Sequence, residues 1–200
     1  MIVLAIDTAL DACSVAVVRE DETLAALSES MQRGQAERLA PMVRDAVQSA
    51  GIAFAQLNRI AITTGPGSFT GVRVGLSFAR ALALALNKPC IGVSTLETLA
   101  LEEGEQGLRA ALIETIGASY AALYENGAPL LAPRAVERGE ADALLREAAG
   151  GRAFITKGPS VTPNIEAFAR RAAKLDPALY PPTPLYLRSH GAKLPGGVAP

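Results

Sequence analysis

Four glycines punctuate the segment Gly65-Pro66-Gly67-Ser68-Phe69-Thr70-Gly71-Val72-Arg73-Val74-Gly75, which runs from an apolar strand pattern into a helical one. Free N–H groups at a helix start can hold an anion, and glycines let a ligand approach the backbone. The Lys-Ser/Thr ending of a phosphate-binding P-loop is missing, and so is the Gly-x-Gly-x-x-Gly dinucleotide pattern. Ligand loop and structural turn therefore both stand as readings. Asp7 and Thr8 close the first apolar strand, where a carboxylate can serve as a ligand or simply form the turn. Little else invites catalysis. The one histidine, His190, lies in a Pro/Gly-rich tail, which leaves no Ser–His–Asp set and no His/Cys cluster with metal-ligand spacing. Cys13 and Cys90 sit in apolar runs and read as inert core thiols.

The elements that must position these residues follow from periodicity. Strands are expected at 2–6, 13–18, 23–27, 59–64 and 90–93, and helices at 35–50, 72–86 and 95–103. Leu39, Met42, Val43, Ala46 and Val47 recur at helical spacing along one face. Pro41 should either start that helix or kink it. In the helix 72–86 the polar side chains are Arg73, Ser77 and Arg80, while Gly71, Gly75, Ala79 and Ala83 form a row of small residues. Such a helix must be covered, by its own core or by a second subunit. The second half repeats the order, with strands at 109–113, 119–124, 130–136 and 152–156 and helices at 140–149 and 162–174. Asn126-Gly127 marks a hairpin. Two rounds of three strands, helix, strand, helix are the plan of an actin-like ATPase, ribonuclease H-like α/β fold. The halves are expected at 1–104 and 105–200.

The chain has 200 residues, half of them hydrophobic, with 19 Lys+Arg against 20 Asp+Glu. That excludes a disordered chain, and two cysteines exclude a disulfide scaffold. No run approaches the roughly 20 apolar residues of a membrane span, and the first strand stops too early for a signal peptide, so a cytoplasmic protein is expected. Residues 151–200 hold seven basic side chains against two acidic ones. Arg170, Arg171, Lys174, Arg188 and Lys193 among them form either a solvated face or a surface for RNA.

Several segments together resemble the TsaB (YeaZ) family: Ile6-Asp7-Thr8, Ala12 to Val17, Glu37 to Val43, Gly65 to Gly75, Gly92 to Leu96, and the tail from Pro184 to Arg188 with Ala192 to Pro195. The resemblance covers residues 1–100 and the tail, and is looser over 105–180. It implies a part in making N6-threonylcarbamoyladenosine on tRNAs that read ANN codons. In that family the chain is a scaffold, not the catalyst. It pairs with a TsaD subunit, is joined by a TsaE ATPase, and meets tRNA through the complex. Where TsaD carries its His-x-x-x-His metal motif, this chain has Thr95 and Leu99. The implied pairing surface is Leu39, Met42, Val43, Ala46, Val72, Gly75, Leu76, Ala79 and Ala83, shared with a homodimer when the chain is alone. Leu76→Glu is then expected to abolish pairing and spare the fold. Asp7, Thr8, Gly65, Pro66, Gly67, Ser68, Phe69, Thr70, Gly71 and Arg73 would shape the subunit junction. ATP or ADP is expected there, and no tightly bound cofactor or metal elsewhere. Gln35 stands where many relatives have histidine, and Glu114-Thr115-Ile116-Gly117 replaces an Asp-Ala-Arg-like start. The rival readings are a nucleotide-dependent enzyme of the same fold, using Asp7 and the glycine loop, and a peptidase-like activity.

Overall fold

The computed structural model describes residues 1–100, 107–115, 118–158 and 162–187. The end of the helix expected to reach Glu103, the segment Ile116-Gly117, and Arg188, His190 and Lys193 lie outside the described residues.

β1 (Ile2–Asp7), β2 (Ala12–Arg19) and β3 (Glu22–Ser30) form an antiparallel meander, and β4 (Arg59–Thr63) and β5 (Cys90–Val93) extend it in parallel on the other side of β1. The resulting order is β3-β2-β1-β4-β5. β1 lies at the centre with both faces covered, which is why it reads as an unbroken apolar run. Alternate residues leave on opposite faces. Leu4 and Ile6 meet α1 (Gln35–Ser49) and α2 (Phe69–Leu86), while Val3 and Ala5 meet α5 (Ile165–Lys174). The second sheet repeats the plan one strand short. β6 (Leu108–Glu114), β7 (Ser119–Glu125) and β8 (Ala128–Val136) are antiparallel, β9 (Ile155–Lys157) lies parallel to β6, and the order is β8-β7-β6-β9. Its two faces are covered by α3 (Thr95–Ala100) and α4 (Ala141–Ala149). These paired sheets make the chain an actin-like, ribonuclease H-like α/β fold.

The packing crosses the boundary placed at 104. α3 belongs to the first half in sequence but sets Leu96 and Leu99 against Ala111, Ile113 and Ala122 of the second sheet. α5 belongs to the second half but buries Ile165, Phe168 and Ala172 on the first sheet. The halves exchange helices, because each sheet has two apolar faces and α1 and α2 cover only one face of the first sheet.

α1 continues through Pro41 instead of starting there. α2 begins at Phe69, three residues before the expected Val72, because the Ser68 hydroxyl caps it by accepting from the Gly71 N–H at 3.2 Å. Asn87, in the left-handed region at φ 53°, ends it. At 18 residues α2 is long and apolar enough to cross a membrane, contrary to the sequence expectation. Gly71, Val72, Gly75, Leu76, Ala79 and Ala83 pack inward, as in the core helix of a folded domain.

Candidate functional site

The end of β1, the end of β4 and the start of α2 converge on one buried junction. Asp7 and Thr8 have no solvent exposure. Asp7 Oδ1 accepts from the Thr63 hydroxyl at 2.5 Å and from the Ala9 N–H at 3.2 Å, while its Oδ2 has no hydrogen-bond partner. Burial pushes this carboxyl above its ordinary range, and the two bonds oppose the shift in part. Cys13, on the neighbouring strand, is likewise buried, and its thiol is pushed up to about 11 by burial, with Cys90 also at about 11 for the same reason. Both therefore stay protonated thiols, in keeping with an inert core role.

The glycines of the loop close on the chain's own backbone. A Cβ on Gly71 would stand 2.0 Å from the Thr8 carbonyl oxygen, and one on Gly67 2.1 Å from that of Ala9. Gly75 faces the Thr8 hydroxyl, which a Cβ would approach to 2.4 Å. That hydroxyl donates to the Gly71 carbonyl at 2.8 Å, and the Ser68 N–H donates to Ala9 O at 2.7 Å. The turn after β1 is thus pressed into the start of α2. This close approach gives Gly67, Gly71 and Gly75 a structural part in the junction.

Of the other junction residues, Gly65 and Pro66 are buried, and Ser68, Phe69, Thr70 and Arg73 face outward. The extended segment after α5 passes over them. The Leu185 N–H donates to Thr64 O at 2.8 Å, and the Tyr186 hydroxyl accepts from Arg73 Nε at 3.3 Å. The Arg73 guanidinium lies 3.7 Å above the Phe69 ring. Thr64, Pro66, Val72, Tyr120, Leu185 and Leu187 line a small pocket of about 50 Å³ beside them.

The nine residues expected to face a partner are turned the other way. Leu39, Met42, Val43 and Ala46 of α1, and Val72, Leu76, Ala79 and Ala83 of α2, are at most 5% exposed within the chain's own core, and Gly75 is buried with them. The apolar periodicity located the inner face of each helix. The outer face of α2 is a different stripe: Phe69, Arg73, Ser77, Arg80 and Leu84, with Leu84 83% exposed. The signal available in the sequence was an apolar residue on the arginine side of the helix. Leu76→Glu would therefore place a charge in the core, and the variant that tests the surface is Leu84→Glu.

Three other expectations resolve here. Gln35 is buried and donates to Met31 O at 3.1 Å, which makes it a structural residue at the entry to α1. Thr95 and Leu99 are buried, and the Thr95 hydroxyl has no hydrogen-bond partner. The arginines offered for RNA are engaged internally. Arg170 donates to Asp21 O and Thr23, and Arg171 reaches Glu97 at 3.4 Å, leaving Lys174 exposed. Among the described residues no group of three His, Cys, Asp or Glu side chains is arranged to hold a metal.

Residues 26–113 match the family model described as TsaD: tRNA N6-adenosine threonylcarbamoyltransferase. Over 134 residues the chain is 43% identical to the tRNA threonylcarbamoyladenosine biosynthesis protein TsaB of Escherichia coli (strain K12), a match covering 64% of this chain and 58% of that protein. The solved structure of YeaZ from Pseudomonas aeruginosa superposes with a TM-score of 0.73 at 29% identity, over 93% of this chain and 99% of that one. The chain belongs to the TsaB (YeaZ) family. An uncharacterized Mycobacterium bovis protein, Mb3455c, is 34% identical over 202 residues, covering 96% of this chain and 93% of its own. Against the TsaB proteins of E. coli and of Buchnera aphidicola from Schizaphis graminum, this TsaB-family chain spans 58% of their length. The 26–113 match takes in α1, β4, α2, β5 and α3.

Proposed function

We propose that this chain is a non-catalytic pairing subunit in the synthesis of N6-threonylcarbamoyladenosine on tRNAs that read ANN codons. Its partner would be a TsaD-like transferase, with a TsaE-like ATPase joining the pair and tRNA met through the complex in the cytoplasm. The observation that carries this reading is the outer face of α2. It leaves Leu84 83% exposed and Phe69 45% exposed on a helix whose opposite face packs into the core. Exposed apolar side chains near both ends of one helix face support its reading as a contact surface. The closed packing of the β1 turn against Gly67 and Gly71 supports a scaffold role, since the glycines there are occupied by the chain's own carbonyls. ATP or ADP, where bound, would sit at the subunit junction beside the pocket lined by Pro66, Tyr120 and Leu187. Alone, the chain would cover the same face by self-pairing.

One observation favours a second reading, a nucleotide-dependent ATPase or kinase: Asp7 Oδ2 is buried with no partner, as a group awaiting a ligand would be. One experiment separates the two. The chain is mixed with the TsaD-like protein of the same genome and sized by light scattering, beside ATP-turnover assays of each protein alone. A stable heteromer and no turnover by this chain is the expected result. Metal-dependent turnover by this chain alone, lost in Asp7→Ala, would establish the enzyme instead.

A further inference from the structure

We infer that the outer face of α2 is charged to receive a partner protein that presents carboxylates among apolar side chains, in preference to a second copy of this chain. This rests on the proposed pairing and adds the chemistry of the partner's side. Phe69, Arg73, Ser77, Arg80 and Leu84 follow one another at helical spacing along the whole length of α2. All five are exposed. No Asp or Glu occurs anywhere between residues 69 and 86. Arg80 forms no ion pair among the described residues, and Arg73 engages only the Phe69 ring and the Tyr186 hydroxyl. No carboxylate of the adjacent helix pairs with either arginine among the described residues. On α1 the Asp45 carboxylate is already shared by Arg44 at 2.9 Å and Arg38 at 3.7 Å, and Glu37 lies in its first turn.

Closing a protein over this stripe strips water from two guanidinium groups. An unpaired charge inside an interface is costly, so the covering surface must supply carboxylates opposite Arg73 and Arg80 and apolar groups opposite Phe69 and Leu84. A second copy meeting this one by a two-fold through α2 supplies the apolar groups but no carboxylate. It brings two more guanidiniums and no acid. The arginines thus oppose self-pairing and favour an acidic partner face, which is how specificity is commonly set.

The two associations should therefore respond to salt in opposite directions. With the TsaD-like protein of the same genome as probe, the heteromer weakens between about 50 mM and about 500 mM NaCl, while self-association of the full chain strengthens. Arg80→Glu should weaken the heteromer about tenfold at low salt and strengthen the homodimer. Leu84→Ala should weaken both, and Lys174→Glu, the same charge change on the far side of the first sheet, should alter neither. Circular dichroism of each variant checks that it is folded. A heteromer indifferent both to salt and to Arg80→Glu overturns this inference and leaves the pairing standing. So does a homodimer that tightens at low salt. No heteromer at any salt overturns the pairing and this inference together.

Discussion

Gly71 and Asp7 show what individual residues contribute to the junction. A methyl group on Gly71 would meet the Thr8 carbonyl oxygen, a backbone atom that cannot rotate away. Gly71→Ala should therefore lower unfolding stability by about 1–3 kcal/mol in urea titrations, as overpacking of a tight interior does. Asp7 gives a pH signature. Its carboxyl is raised by burial, so the folded state binds the proton more tightly than the unfolded state. The sign follows directly: stability is greatest below the ordinary carboxyl range and falls as pH rises toward the folded value. Asp7→Asn removes that dependence. As pH rises from about 4, the ordinary carboxyl range, the wild-type urea midpoint should fall relative to that of the variant, and curves parallel throughout would show that Asp7 is not shifted.

At the scale of elements, the two faces of α2 divide the roles. Its inner side chains lock the helix to β4 and α1, and its outer stripe faces water. Leu84→Glu should leave the circular dichroism spectrum and thermal midpoint close to wild type while abolishing the heteromer. Leu76, at 4% exposure, should not tolerate the same change, and its variant should be unfolded or insoluble. α5 offers a separate test. Arg59 Nη1, projecting from β4, donates to the carbonyls of Ala173 at 3.1 Å and Leu175 at 2.8 Å, and to that of Ala172, so it caps the C-terminus of α5. Burial lowers the guanidinium's proton affinity, yet it remains charged. Arg59→Ala should cost about 1–3 kcal/mol and speed amide exchange first in the last turn of α5.

Across the whole molecule, the exchanged helices tie the halves together. Arg171 on α5, packed on the first sheet, reaches Glu97 on α3, packed on the second, and also the Gly127 carbonyl at 3.5 Å in the β7–β8 turn. Burial raises the Glu97 carboxyl, and Arg171 draws it back down. Removing one partner leaves the other charge desolvated and alone. Arg171→Ala should therefore destabilise by about 2–4 kcal/mol, and combining it with Glu97→Gln should recover part of that loss. Additive effects in the double variant would mean that the pair does not couple the halves.

The order of strands and helices, their doubling and the family were legible from residue types alone. Buried strands such as Ile2–Asp7 are continuous apolar runs, and a helix such as α1 repeats its apolar residues at a spacing that local geometry dictates. Leu39 and Leu76 were rightly seen to need cover, but periodicity does not say whether the cover is the chain's own sheet or another subunit. Only the tertiary structure decided that, by setting them against Ile60, Ile62 and Val15. It also set what Gly67 and Gly71 pack against, because the carbonyls of Thr8 and Ala9 that fill the space beside them come from about 60 residues away in sequence. The exchange of α3 and α5 was likewise hidden. An apolar helix face matches either sheet, and the choice rests on contacts between segments that no local pattern records.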